Sequence, residues 1–81
     1  MNVEVRLFAR ARDLAGADRV QVELPASARV ADLRAALGEA VPALRPLVPN
    51  LLVALGTHYA DDSKTVEPGM EVACFPPVSG G

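Results

Sequence analysis

Two segments near the start of the chain alternate between apolar and polar residues, with the two-residue period of a half-buried strand. They cover residues 3–8 and 19–24, and both are predicted strands. The link between them is rich in helix-forming residues and ends at Gly16, which favours a short helical turn closed by glycine. The residues predicted to face inward are Val3, Val5, Leu7, Val20, Val22 and Leu24.

The pattern changes to a helical spacing after Pro25. An apolar stripe recurs at intervals of three and four residues, which predicts the main helix of the chain. The helix must end before Pro42, since the residue that precedes a proline is pushed out of the α region, and Gly38 could end it sooner. Residues 42–49 are a predicted loop with one helical turn. The stripe consists of Val30, Leu33, Leu37, Ala40 and Val41.

The second half of the chain predicts three more strands. Residues 51–55 form a short apolar run and a predicted buried strand, followed by a brief edge strand over residues 57–60. Glu67-Pro68-Gly69 fits a type II turn, in which glycine supplies the positive φ, and this turn starts the last strand. The residues of that strand predicted to face inward are Met70, Val72 and Cys74, and those predicted to face outward are Glu71, Ala73 and Phe75.

The predicted order of elements is strand, strand, helix, strand, short strand, strand. One main helix is available to cover one face of a mixed sheet of four to five strands, so the fold class is α+β in two layers. Pro76 and Pro77 end the last strand because neither can donate a backbone hydrogen bond. The chain is therefore predicted to have one domain over residues 1–75 and an extended, flexible C-terminal tail over residues 76–81.

Composition and charge exclude several classes of function. At 81 residues, with 51% apolar and 22% charged residues, the chain has the composition of one folded globule. Its net charge is −2 and its arginines are scattered among carboxylates, so nucleic acid is not an expected ligand. No apolar run reaches membrane-spanning length, which predicts a cytoplasmic protein with no membrane partner.

The chain contains one cysteine, Cys74, and one histidine, His58. They cannot form an internal disulfide or a closed zinc site from within the chain, so no metal site is expected. Cys74 is predicted to face inward, where a free cysteine acts as a small hydrophobic residue, and we assign it no chemistry. His58 is most simply a solvated surface residue.

The chain ends in two glycines, Gly80 and Gly81. At a glycine usage of about 7%, this ending arises by chance in roughly one chain in two hundred, and a frayed terminus explains most such tails. Here the preceding residues, Pro76-Pro77-Val78-Ser79, favour a stiff, extended exit from the last strand. A terminal glycine carboxylate has no Cβ beside it, which suits a narrow, ATP-using active site that forms an acyl-adenylate.

Two segments resemble a known family. Residues 71–81 (EVACFPPVSGG) are similar to the end of the molybdopterin synthase small subunit, a MoaD/ThiS-like, ubiquitin-like sulfur carrier. Residues 7–16 (LFARARDLAG) are similar to its first strand and following turn, and chain length and element order match as well. The resemblance implies a β-grasp, ubiquitin-like fold. The chain departs from the family at the start of the main helix, where Arg29 replaces a capping threonine, so Ser27 is the expected cap.

The resemblance also implies sulfur donation in molybdenum cofactor biosynthesis. An ATP-dependent activating enzyme would adenylate Gly81, with Gly80 beside it in the reacting end, and a sulfur source would convert the acyl-adenylate to a thiocarboxylate. The large subunit of molybdopterin synthase would accept the tail and supply the catalytic groups for sulfur transfer to a cyclic pyranopterin, within a heterotetramer. The chain is expected to bind no cofactor and to be inactive alone, since the activating enzyme uses the ATP.

A docking surface is expected beside the tail. Phe8 and Phe75 point away from the helix-covered face by alternation, and in the family fold their strands are adjacent and parallel, so they should form an exposed aromatic pair. Isolated exposed apolar residues are ordinary, but aromatic anchors are typical of interfaces, and Tyr59 matches a family interface position. The predicted partner-binding residues are Phe8, Arg12, Tyr59, Phe75, Pro76, Pro77, Val78 and Ser79.

Three other functions remain open at this point. A tail of the same kind serves sulfur carriers for thiamine, cysteine or tRNA thiolation. A ubiquitin-like modifier would instead join Gly81 to lysines of other proteins, although a chain with the single lysine Lys64 is poorly equipped to build chains on itself. A noncatalytic binding module with an incidental tail would not respond to loss of the last two residues.

Overall fold

The computed structural model describes residues 1–77. In chain order its elements are β1 (Asn2–Leu7), α1 (Ala9–Ala15), β2 (Arg19–Glu23), α2 (Val30–Ala40), the 3-10 turns Pro42–Leu44 and Val48–Asn50, β3 (Leu52–Leu55), β4 (His58–Ala60) and β5 (Val72–Phe75). Every predicted strand and helix is present. The predicted loop over residues 42–49 contains the first 3-10 turn and most of the second, rather than a single helical turn.

The five strands form one mixed sheet in the order β2-β1-β5-β3-β4. The first and last strands, β1 and β5, pair in parallel at its centre, with Val5 opposite Val72 and Leu7 opposite Cys74. All other neighbouring strands are antiparallel. The predicted mixed sheet packed on one main helix, which is the β-grasp arrangement, is therefore confirmed.

The hydrophobic core lies between one face of this sheet and α2. Val5 and Leu7 of β1, and Leu33 and Leu37 of α2, are each at most 1% exposed. Alternation identified the inward residues of the central strands correctly, because both of these strands have one face on the helix and one face away from it. The predicted helical stripe is wrong at Ala40, which is the last helical residue and is exposed.

The start of α2 depends on a residue that the sequence pattern did not identify. Ser27 does not cap the helix, because it lies two residues before the N-cap position with φ at 65°. Instead, the Asp32 carboxylate accepts a hydrogen bond of 2.8 Å from the backbone N–H of Arg29. Gly38 does not end the helix, which continues to Ala40, before Pro42 as predicted.

Two glycine-dependent turns were predicted correctly. Gly16 closes α1 with φ at 72°, and its N–H donates to the carbonyl of Arg12 at 3.0 Å. Gly69 has φ at 77°, and the N–H of Met70 donates to the carbonyl of Glu67 at 3.3 Å, as a type II turn with Pro68 at its second position requires. The turn at Gly69 precedes β5, in which Val72 and Cys74 lie in the core.

The loop between β4 and β5 is held against the start of α2. The N–H groups of Val30 and Ala31 donate to the carbonyls of Lys64 and Asp62, at 2.9 and 3.2 Å. These bonds satisfy two of the N-terminal donors that an α-helix leaves without an internal partner. The loop residues therefore act as a tertiary cap for the main helix.

Arg34 joins this loop to the second 3-10 turn. Its Nε donates to the carboxylate of Asp62 at 2.7 Å, and its Nη1 donates to the carbonyl of Val48, also at 2.7 Å. The Arg34 side chain is 19% exposed, and its bond to Val48 is partly buried, whereas the Asp62 side chain is 61% exposed and its bond to Arg34 is open to water. One side chain of α2 thus fixes two irregular segments.

No helix within residues 1–77 is long and apolar enough to cross a membrane. Within the same range, no group of three or more His, Cys, Asp or Glu side chains lies in a position to hold a metal ion.

We predict that Arg34→Ala destabilises the fold. The variant loses two charge-assisted hydrogen bonds and leaves the Val48 carbonyl without its donor, which should lower the free energy of unfolding by about 2 to 4 kcal/mol. Urea unfolding measures the change. Arg29→Ala is the matched control, because the Arg29 side chain is exposed and its backbone N–H keeps its bond to Asp32. Equal stability of the two variants would contradict the role of Arg34.

We also predict that Cys74 is chemically silent in the folded chain. It is 1% exposed, and burial raises the pKa of its thiol from 9.0 to about 11. At pH 8 the thiolate is then about one part in a thousand, so a thiol reagent should react with the unmodified chain only after unfolding. Because folding raises this pKa, the stability it contributes is present below about pH 9 and is lost as the pH rises through about 11. Fast reaction of the folded chain would contradict the burial.

Candidate functional site

The face of the sheet opposite α2 carries a stacked pair of aromatic rings. Phe8 directly follows β1 and keeps an extended backbone, with φ at −129° and ψ at 155°, so it continues the alternation of the strand. The parallel register that sets Leu7 opposite Cys74 brings Phe8 beside Phe75. Their ring centroids are 4.6 Å apart and the ring planes differ by 10°. The predicted pairing of the two phenylalanines is present.

The two rings are half-buried rather than fully exposed, which corrects the expectation of an exposed pair. The physical reason is the stacking itself, since each ring covers one face of the other. Both residues keep part of their surface accessible to solvent. The two stacked rings therefore form a single apolar platform.

Tyr59 extends this platform toward the edge of the sheet. It is 70% exposed, and its ring meets that of Phe75 edge to face, with centroids 6.3 Å apart and planes at 80°. Leu52 lies opposite Phe75 in the β3–β5 register and is 40% exposed. We refer to Phe8, Phe75, Tyr59 and Leu52 together as the aromatic patch.

Leu52 was missed by the sequence reasoning, which treated residues 51–55 as a uniformly buried strand. The available signal was alternation: Leu51 and Val53 are each 2% exposed, so the residue between them must face away from the core. Because residues 51–55 are all apolar, residue type does not show which of them face away from the core. Leu52 is outward-facing and apolar at the same time, as a docking residue would be.

Arg6 was missed as well. Its guanidinium carbon lies 5.2 Å from the centroid of the Phe8 ring, within the range of a cation–π contact. Arg6 precedes Phe8 by two residues on the same strand face, so alternation already sets the two side chains side by side. The aromatic patch therefore has a positive charge at one margin.

The terminal segment leaves the sheet beside the patch. β5 ends at Phe75, Pro76 is half-buried and Pro77 is exposed. The remaining predicted residues of this segment, Val78, Ser79, Gly80 and Gly81, lie outside the described residues. The predicted reactive end is thus joined to the patch by a short stretch of chain, which begins at a residue of the patch itself.

The last of the predicted partner-binding residues is Arg12. Arg12 is exposed on α1 and forms an ion pair of 3.9 Å with its neighbour Asp13, a solvated contact that contributes little. Its predicted role in partner binding stays a prediction. His58 is exposed at the start of β4, and Cys74 is buried in the core.

Comparisons with known proteins find relatives over the full length of the chain. The ThiS family model matches residues 5–81. A protein named molybdopterin synthase sulfur carrier subunit, from Chlamydomonas reinhardtii, is 36% identical over 100% of both chains.

Solved structures show the same fold. The crystal structure of SAMP1 (small archaeal modifier protein 1) from Haloferax volcanii superimposes with a TM-score of 0.86, at 32% identity and 100% coverage of both chains. A complex of subunits 1 and 2 of molybdopterin-converting factor from Helicobacter pylori contains a chain that matches with a TM-score of 0.70, at 27% identity and 100% coverage of both chains.

The family match spans nearly the whole chain, and the relatives match it in sequence, length and strand arrangement. The chain belongs to the ThiS family of ubiquitin-like β-grasp proteins.

Proposed function

We propose that this chain is the sulfur carrier subunit of a molybdopterin synthase. In this proposal the aromatic patch docks on the large subunit, and the segment after Phe75 carries Gly81 into that subunit's active site. The observation that carries the proposal is the stacked Phe8–Phe75 pair at the point where the terminal segment leaves the sheet. The full-length similarity to the Chlamydomonas reinhardtii sulfur carrier subunit supports it.

The chemistry begins at the carboxylate of Gly81. An activating enzyme binds ATP, the carboxylate attacks the α-phosphorus, and pyrophosphate leaves, which gives an acyl-adenylate. A sulfur nucleophile at the oxidation level of sulfide then displaces AMP and leaves a thiocarboxylate. ATP is consumed in the activating enzyme, and the chain itself binds no cofactor in this scheme.

The second half of the cycle takes place on the large subunit. The thiocarboxylate sulfur attacks a carbon of a cyclic pyranopterin and displaces the oxygen bound to it, so that a C–S bond forms as a C–O bond breaks. Water then hydrolyses the resulting thioester, which leaves the sulfur on the pterin as a thiol and returns Gly81 as a carboxylate. Catalytic groups for these steps come from the large subunit. The Helicobacter pylori complex of two subunits supports an assembly of this kind.

The geometry of the patch supports docking before sulfur transfer. Aromatic side chains dominate the energetics of many interfaces because they bury a large area at low cost in conformational entropy. The six residues after Phe75 span at most about 20 Å, so docking at the patch confines the search of the tail to a small volume. A docked carrier therefore presents its terminal group at a high effective concentration.

A second candidate function is a protein modifier that joins Gly81 to lysines of other proteins. The likeness to small archaeal modifier protein 1 favours it, since that match covers 100% of both chains. Blotting of lysates under reducing conditions tests this candidate, because isopeptide-linked adducts persist where thioesters disappear.

We predict that intact mass spectrometry of the chain, purified from its native host, detects a fraction heavier by one sulfur-for-oxygen exchange. Deletion of Gly81 should abolish both this species and sulfur transfer without unfolding the domain. Cys74→Ala is the control and should retain the heavier species. A modification that adds a whole sulfur atom, disappears under reduction and is absent from Cys74→Ala would indicate a persulfide on Cys74 and contradict the proposal.

We predict that Phe75→Asp weakens binding to the large subunit by a factor of at least about 30, the loss typical of an interface hot spot. Isothermal titration calorimetry measures the Kd, and circular dichroism checks the fold. Leu14→Asp is the matched control. Leu14 lies on α1, outside the patch, and is 38% exposed, about as much as the patch residue Leu52 at 40%. Unchanged affinity of a folded Phe75→Asp variant would rule out the patch as the docking surface.

A further inference from the structure

Three pairs of residues face each other across β1 and β2 on the open face of the sheet. In the first pair, Asn2 donates to the carboxylate of Glu23 at 3.4 Å, and in the second, Gln21 donates to that of Glu4 at 3.3 Å. The third pair, nearest the aromatic patch, is Arg6 opposite Arg19. Two pairs are thus complementary, and the third sets two cations side by side.

Neither arginine of this third pair forms an ion pair within the described residues, although Glu4 and Glu71 line the same pocket as Arg6. Among residues 1–77, no carboxylate oxygen lies within 4.0 Å of a basic nitrogen of Arg6 or Arg19. Glu4 lies two residues before Arg6 on β1, and its carboxylate accepts a hydrogen bond from Gln21. Like charges directly opposite in an antiparallel pair destabilise a sheet, so this arrangement works against the stability of the free domain.

The two arginines are positioned rather than loose. Arg6 is held over the ring of Phe8 by the cation–π contact of 5.2 Å, and cross-strand pairing keeps the Cβ atom of Arg19 about 5 Å from that of Arg6. Both residues are exposed. Each guanidinium group carries several N–H donors, and the register places the two residues opposite each other on one face of the sheet.

The sheet register shows what lies beyond the pair. Moving across the sheet from Arg6, the next positions on the open face are Ala73 of β5, Ala54 of β3 and Tyr59 of β4. The two alanines form a low floor, with the arginines at one margin and the tyrosine at the other. The open face therefore has a shallow trough that runs beside the Phe8–Phe75 platform.

We propose that the Arg6–Arg19 pair binds an aspartate or glutamate of the protein that docks on the aromatic patch. This inference rests on the proposed function, since it adds an acidic contact to the same docking surface. A carboxylate matches the geometry of guanidinium donors and removes the repulsion between the arginines. A polyanion such as nucleic acid is disfavoured by the net charge of −2 and by the adjoining carboxylates of Glu4 and Glu71.

The test compares Arg6→Gln, Arg19→Gln and the double variant with the wild-type chain, in binding to the large subunit at low and high salt. Each single variant should raise the Kd about tenfold and the double variant more, and the difference from wild type should shrink at high salt. Arg29→Gln, which removes an exposed charge on the helical side, should leave the Kd unchanged.

The thermal stability of the free chain distinguishes a binding role of the Arg6–Arg19 pair from a structural role. Thermal unfolding of Arg19→Gln should show a melting temperature equal to or above that of wild type, because the substitution removes a like-charge contact. If the folded double variant binds with wild-type affinity while Phe75→Asp binds weakly, the proposed acidic contact is wrong. The proposed docking at the aromatic patch would then still hold. Absence of binding by the wild-type chain would overturn both.

Discussion

The parallel pairing of β1 with β5 is the contact on which the rest of the structure depends. It joins the two ends of the domain at the centre of the sheet, with Val5 opposite Val72 and Leu7 opposite Cys74. A parallel pair cannot be closed by a tight turn, so the chain between the two strands must cross over the sheet. That crossover carries α2 over one face and leaves the other face open. The core and the aromatic patch therefore lie on the two faces of the same strand pairing.

The same pairing determines where the functional elements meet. Phe8 follows β1 and Phe75 ends β5, so a parallel register brings the two rings to the same end of the sheet. An antiparallel register would have separated them by the length of a strand. The terminal segment starts at this end, and the arginine pair lies one row behind it. In the proposed function, docking and presentation of the chain end consequently use one rigid base.

Several features of the open face add little to the stability of the free chain, and the proposed docking function accounts for them. The stacked phenylalanines are already ordered, so little conformational entropy remains to be lost on docking. The exposed Tyr59 and Leu52 keep apolar area in water, and the Arg6–Arg19 pair holds like charges together. The opposite side of the sheet is packed without such compromises, since the core residues of its central strands are nearly inaccessible to solvent.

Local features of the fold could be predicted from the sequence, and non-local ones could not. Alternation identified the inward residues of β1 and β5, and glycine chemistry identified the turns at Gly16 and Gly69, because both signals act between near neighbours in the chain. The adjacency of Phe8 and Phe75 came from a family resemblance, since strand order has no local signature.

The features that the sequence did not predict depend either on the register between strands or on a choice between local arrangements of similar free energy. The Arg6–Arg19 contact depends on a cross-strand register that residue patterns leave open. Leu52 was hidden within an apolar run. The expected cap at Ser27 is absent because the carbonyls of Lys64 and Asp62 accept the first helical N–H groups and the Asp32 carboxylate accepts the N–H of Arg29.

Docking at the open face is tested most directly by chemical-shift mapping of an isotope-labelled chain, titrated with the unlabelled large subunit. The largest backbone amide shifts should cluster on the open face, at Arg6, Phe8, Ala54, Tyr59 and Phe75, with little change along the exposed side of α2. Shifts concentrated on α2, with the open face unaffected, would contradict this docking.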